Sequence, residues 1–121
     1  MSLLKSNSLI LAIFCTLIIG VLSLTRIGTQ QPISFKYLDK IEHCIAYSVL
    51  SFLWLLAIGK TKSIVFLVVL GCVFYGIIIE VLQGATTYRT FDYMDMIANS
   101  LGVIVGYLVL LFLGEENIVN E

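Results

Sequence analysis

Residues that could transfer protons occur in two short stretches of the chain, and the first stretch contains its single histidine. Asp39, His43 and Tyr47 follow one another at intervals of four, so they share one face of an α-helix. A histidine that is oriented by a carboxylate can act as a general base, a proton relay or a metal ligand. The alternative is that His43 only hydrogen-bonds to neighbouring helices, as polar groups do in membrane bundles.

The second stretch carries two aspartates and an asparagine at helical spacing. Asp92, Asp95 and Asn99 are separated by three and four residues, which places them on one helical stripe that continues through Gly102 and Gly106. Carboxylates and an amide on the inward stripe of a membrane helix are costly unless they are paired, so they indicate a site. Asp92 could instead serve only as the N-cap of the helix. The glycines predict close contact with a partner helix.

Between these stretches, Glu80 and Gln83 end an apolar segment, and Arg89 follows in a loop rich in hydroxyl groups. Glu80 is a candidate acid or orienting group for the histidine; the alternative is a structural ion pair that closes the end of the bundle. The Arg89 guanidinium suits a phosphate or a carboxylate of a ligand. Its alternative is an intramolecular ion pair with Glu80 or with one of the aspartates.

The composition shows which elements must position these residues. The 121 residues are 60% hydrophobic and 12% charged, with a mean hydropathy of +1.04, whereas a soluble domain is about 45–50% apolar and about 25% charged. A helical span takes about 20 residues, so the chain predicts a single all-α membrane domain over 1–121. We expect four transmembrane helices in a compact antiparallel bundle, with spans at about 9–24, 40–59, 64–82 and 93–113.

Alternating spans bring most ionisable side chains to one face of the membrane, because the ends of spans one and three and the starts of spans two and four coincide there. The chain has seven Lys and Arg, eight Asp and Glu and one His. Ten of these lie at that face: Arg26, Lys36, Asp39, Lys40, Glu42, His43, Glu80, Arg89, Asp92 and Asp95. The short basic turn at 59–63 is typical of a cytoplasmic loop. We therefore expect cytoplasmic termini and a polar cluster at the outer face.

Several functional classes are disfavoured. The net charge of −1 argues against binding to nucleic acid. The cysteines at 15, 44 and 72 lie in apolar runs and have no zinc-type spacing, so they are expected to pack as small apolar residues. One histidine and scattered carboxylates could ligate a metal but define no particular ion. The sequence therefore assigns no metal, no cofactor and no oligomeric state.

The polar positions resemble those of the VanZ-like family of small bacterial membrane proteins. The residues that carry the resemblance are Asp39-Lys40-x-x-His43 with Tyr47, Glu80-x-x-Gln83, Arg89, Asp92-x-x-Asp95-x-x-x-Asn99 and Gly102. The resemblance implies a multi-helix protein of the bacterial inner membrane, related to the accessory protein linked to teicoplanin resistance. This chain lacks the proline-glycine often found before the arginine, and it has Cys44 where an aromatic residue is common.

Three functions fit the sequence. The first is an envelope protein that binds a lipid or cell-wall headgroup, with Arg89 and Lys40 binding the anion. The second is a small membrane enzyme that acts on such a headgroup, with His43 as base and Glu80 as acid or orienting group. The third, a proton-coupled carrier or scaffold, is disfavoured because the span centres carry no charge. The catalytic candidates are His43, Glu80, Asp92 and Asp95, and the ligand-binding candidates are Asp39, Lys40, Tyr47, Gln83, Arg89 and Asn99.

Overall fold

The computed structural model describes residues 2–25, 38–86 and 93–113, and nearly all of them are helical. The helices are α1 (Ser2–Leu24), α2 (Leu38–Ile58), α3 (Lys62–Gly84) and α4 (Tyr93–Phe112). All four are long and apolar enough to cross a membrane. They pack as a compact antiparallel bundle, which confirms the expected fold. Helix α1 begins well before residue 9 because hydropathy marks the thickness of the hydrocarbon layer, whereas a helix can extend into the interface.

The connection between α2 and α3 is short and has a defined cap. Thr61 is the N-cap of α3, and its side-chain oxygen accepts a hydrogen bond of 3.2 Å from the Ile64 backbone nitrogen. The bond satisfies one of the amides that a helix start leaves without a partner. A connection of this length makes α2 and α3 antiparallel neighbours.

The most extensive contact in the bundle joins α2 to α4. A Cβ atom at Gly102 would overlap the Cys44 carbonyl, and one at Gly106 would overlap the Ser51 side chain. Ser51 Oγ donates a hydrogen bond of 3.0 Å to the Val103 carbonyl of α4. The two backbones therefore approach closely, which confirms the predicted role of the glycine stripe.

Helix α1 lies at the edge of the bundle and is tied to it by three hydrogen bonds that the sequence analysis did not predict. Trp54 Nε1 donates to Thr16 Oγ1 at 2.9 Å, and the Tyr75 hydroxyl donates to the Thr16 carbonyl at 2.6 Å. Gln83 Nε2 donates to the Ser23 carbonyl at 2.8 Å. The last bond joins the ends of α1 and α3, as expected if both ends lie at one face of the membrane.

The apolar interior forms two groups of buried side chains along the bundle. One group consists of Ile19, Tyr47, Leu50, Cys72 and Val103, and the other of Leu55, Leu56, Val65 and Leu110. In lipid, burial of apolar side chains gives little net driving force for association, so close packing and interhelical polar contacts hold such helices together. The polar contacts at the start of α2 and α4 therefore matter for stability as well as for function.

Candidate functional site

Four ionisable side chains meet where α2 and α4 begin. Asp39 lies in the first turn of α2 and Asp95 in the first turn of α4. Lys40 and His43 extend from the same end of α2 toward Asp95. We call Asp39, Lys40, His43 and Asp95 the surface cluster. Its assembly confirms that the second and fourth spans begin at the same end of the bundle.

Lys40 joins the two helices through a short ion pair. Its Nζ donates to Asp95 Oδ1 at 2.6 Å and lies 3.6 Å from Asp39 Oδ2. The Asp95 side chain is only 7% exposed, whereas Lys40 and Asp39 are 26% and 32% exposed. A charge-assisted hydrogen bond to a buried carboxylate is stronger than a solvated surface pair. The Lys40–Asp95 pair therefore fixes the ends of α2 and α4 relative to each other.

His43 faces the remaining oxygen of each carboxylate. Its Nε2 lies 3.5 Å from Asp39 Oδ1 and 3.8 Å from Asp95 Oδ2. Each aspartate thus directs one oxygen toward Lys40 and the other toward the imidazole. Distances above 3.2 Å are long for a strong hydrogen bond. Both contacts of the imidazole with the carboxylates are therefore loose ion-pair contacts.

Asn99 holds the opposite side of the imidazole ring. His43 Nδ1 lies 2.8 Å from Asn99 Oδ1. Because an amide oxygen only accepts hydrogen bonds, Nδ1 carries the hydrogen. In the neutral imidazole, Nε2 then presents its lone pair to the two carboxylates. Asn99 is 1% exposed, so the ring is oriented from the interior of the bundle.

A second set of polar side chains lies deeper than the surface cluster. We call Tyr47, Glu80 and Asn99 the buried polar layer; they are 1%, 0% and 1% exposed. In the part of the chain that the structure describes, the Tyr47 hydroxyl and Asn99 Nδ2 have no hydrogen-bond partner. Gly76, one turn before Glu80, makes room for this layer, since a Cβ there would lie 3.1 Å from Asn99 and 3.2 Å from Tyr47. The polar interior therefore extends from the surface cluster toward α3.

The structure brings together half of the residues that the sequence singles out. Contacts join Asp39, Lys40, His43, Asp95 and Asn99. Tyr47 and Glu80 lie in the buried polar layer, and Gln83 bonds to α1, so a binding role for Gln83 stays a prediction. Arg89 and Asp92 lie outside the described residues, and their roles also stay predictions. The space made by Gly76 was not predicted, although the position of this glycine one turn from Glu80 was a usable signal.

The arrangement can support two kinds of chemistry. A neutral His43 with its lone pair on Nε2 could accept a proton from a ligand, and the carboxylates would stabilise the resulting charge. The same atoms could bind the cationic part of a ligand, while Lys40 binds an anionic part. Both uses require access from the membrane surface, and the partial exposure of Asp39 and Lys40 provides it.

Comparison with known proteins identifies the family of the chain. One similar protein is an uncharacterised protein of Schizosaccharomyces pombe, 29% identical over 102 residues, which are 83% of this chain and 61% of that protein. The chain thus spans about three fifths of the length of this curated relative. No solved structure matches the chain. The sequence profile of the VanZ/LLP1 family matches residues 4–114, which is nearly the whole chain. The four-helix membrane protein with the surface cluster therefore belongs to the VanZ/LLP1 family.

Proposed function

We propose that this multi-pass membrane protein binds the polar head group of a membrane lipid or cell-wall precursor at the surface cluster. The observation that carries the proposal is the meeting of Lys40, His43 and two aspartates at the starts of two membrane-spanning helices. Spanning helices begin at the level of lipid head groups. Charged side chains at this depth are well placed to meet the charged parts of a lipid.

The signs of the charges favour a head group that carries both signs. Asp39 and Lys40 are the more exposed members of the cluster, at 32% and 26%. Asp39 can bind an ammonium group and Lys40 a phosphate, and each contact would be a charge-assisted hydrogen bond. Arg89, in the third connection, is proposed as a second cation for the phosphate. A phospholipid with an amine in its head group supplies both partners.

We favour a lipid over a cell-wall precursor as the ligand. A relative in a yeast favours a head group that bacterial and yeast membranes share, and aminophospholipids meet this condition. Kinship with a protein linked to teicoplanin resistance does not by itself give this chain a role in resistance. We further propose cytoplasmic termini and a surface cluster at the outer face, because the turn at 59–63 carries Lys60 and Lys62.

The test compares two lipids that differ only in their head group. The purified chain in detergent is titrated with phosphatidylethanolamine and with diacylglycerol of the same acyl chains, and bound lipid is counted by native mass spectrometry. We expect phosphatidylethanolamine to bind at least tenfold more tightly than diacylglycerol. The double variant Asp39→Asn with Lys40→Gln should lose this preference. Glu42→Gln is the control, because Glu42 is an exposed carboxylate at the same end of α2.

Two results would contradict head-group binding. Equal affinity for the two lipids would show that only the acyl chains are bound. A modified lipid, formed by the unchanged chain and not by His43→Gln, would mean catalysis instead of binding. The second candidate function, a small membrane enzyme with His43 as base, predicts that result, and the orientation of His43 by Asn99 is the observation that favours it.

A further inference from the structure

We propose that Asp39, His43 and Asp95 form a binding site for a divalent transition-metal cation. The proposal goes beyond head-group binding, since it requires no lipid. One ligand atom from each residue can be chosen so that all three lie within 4.8 Å of one another. The sequence defined no metal site because one histidine and scattered carboxylates specify no particular ion. The packing of α4 on α2 brings Asp95 next to His43, although the two are 52 residues apart along the chain.

The distances between the three atoms are close to those of ligands that share one ion. Metal–ligand bonds of about 2.0–2.2 Å place neighbouring ligand atoms about 3.0–3.6 Å apart. His43 Nε2 lies 3.5 Å from Asp39 Oδ1 and 3.8 Å from Asp95 Oδ2. These separations are long for strong hydrogen bonds. The first separation falls within the range for ligands of one ion and the second lies just above it, and one ligand atom from each of the three residues lies within 4.8 Å of the other two.

Asn99 supplies an independent reason to read His43 as a ligand. A metal-binding histidine usually donates its other ring N–H to an oxygen, which fixes the ring and leaves a lone pair for the metal. His43 Nδ1 makes this bond to Asn99 Oδ1 at 2.8 Å. Asn99 is 1% exposed, so the His43 ring is fixed from the interior of the bundle.

The charges of the cluster favour a cation beside His43. Two carboxylates and the lone pair of a neutral imidazole face one another, and a positive charge between them stabilises such an arrangement. Lys40 Nζ approaches the other two carboxylate oxygens, Oδ1 of Asp95 and Oδ2 of Asp39. The oxygens that face His43 can share either a proton on Nε2 or a metal ion, and titration with a metal distinguishes the two.

The donor atoms limit the choice of ion. One imidazole nitrogen and two carboxylate oxygens suit Mn²⁺, Fe²⁺, Co²⁺ or Zn²⁺ better than Ca²⁺, which prefers oxygen alone, or Cu⁺, which prefers sulfur. Three protein ligands leave at least one coordination position open. The site would thus hold its ion at the membrane surface with room for an external ligand.

Co²⁺ is the probe, because its visible absorption reports coordination by the protein. The full chain is purified in detergent, treated with a chelator and titrated with CoCl₂ without added lipid. We expect one Co²⁺ per chain, an absorption band that Zn²⁺ removes, and at least a tenfold loss of affinity in His43→Gln. Glu42→Gln should bind like the unchanged chain, since its carboxylate is not among the three ligands.

Asp39→Asn is the second variant, used if His43→Gln does not fold, because Asp39 is the most exposed of the three side chains. Asp39→Asn should also lower the affinity for Co²⁺, and the variant should keep its helicity. The absence of a cobalt band in the folded, unchanged chain would overturn the proposal, as would an unaltered band in a folded ligand variant. Because no lipid is present, these results are independent of the test of head-group binding.

Discussion

Lys40 illustrates how one side chain can serve both stability and function. It lies between two aspartates but is much closer to the buried one, at 2.6 Å from Asp95 against 3.6 Å from Asp39. A charge-assisted hydrogen bond contributes more when its partner is shielded from solvent. The two aspartates should therefore differ in their contribution to stability although both contact the same ammonium group.

We expect Asp95→Asn to lower the free energy of unfolding by about 1.5–3 kcal/mol, because a buried charge-assisted hydrogen bond is lost. Asp39→Asn should cost less than about 1 kcal/mol, since a partly exposed ion pair is screened by solvent. Unfolding of the purified chain in mixed micelles, followed by circular dichroism, gives both values. Equal losses for the two variants would contradict the assignment of Asp95 as the main partner.

The sequence predicted part of the site, but not which atoms meet there. Alternation of the spans was enough to place His43, Asp39 and Asp95 at one face of the membrane. The pairing of His43 Nδ1 with Asn99, and of each carboxylate with two partners, depends on the rotation of α4 against α2. That rotation is set by the contact of the two backbones, and periodicity does not specify it.

At the scale of helices, the contact between α2 and α4 is the element that builds the site. Hydropathy predicted the four spans because a bilayer requires about 20 apolar residues for each. Hydropathy does not show which spans are neighbours in the bundle. Here the small-residue stripe on α4 identified an interface, and the structure shows that α2 is the partner.

We expect Gly102→Ala to lower the free energy of unfolding by about 1–3 kcal/mol, because the new methyl group would overlap the Cys44 carbonyl of α2. Gly71→Ala is the matched control: it is also a helical glycine, and a Cβ there has no neighbour within 4 Å. The control should be neutral or slightly stabilising. If both variants lowered the free energy of unfolding equally, the close approach of α2 and α4 would not depend on the missing side chain at Gly102.

At the scale of the whole molecule, the bundle is chemically one-sided. The ion pairs of the surface cluster lie at the end where α2 and α4 begin. Composition and alternation together predicted this asymmetry without any knowledge of side-chain contacts. The direction in which the protein faces depends on a small difference in Lys and Arg between short loops, so it needs its own measurement.

Single cysteines at the two ends of α2 test the orientation. Glu42→Cys and Lys60→Cys are made in a chain whose three native cysteines, at 15, 44 and 72, are replaced by alanine. Helix α2 has 21 residues and spans about 30 Å, so the two positions lie at opposite faces of the bilayer. We expect an impermeant maleimide to label Glu42→Cys in intact cells and Lys60→Cys only after permeabilisation. The reverse pattern would invert the proposed orientation, and labelling of both in intact cells would contradict a spanning α2.

The attachment of α1 has a consequence for how the chain enters the membrane during synthesis. Its hydrogen-bonding partners Trp54, Tyr75 and Gln83 come 38, 59 and 60 residues after the groups that they bind, so α1 is inserted long before they are made. Ser8 and Thr16 already donate their hydroxyl hydrogens to carbonyls within α1. The hydroxyl donors of α1 are therefore already satisfied in the lipid before the later helices are inserted and pack against α1.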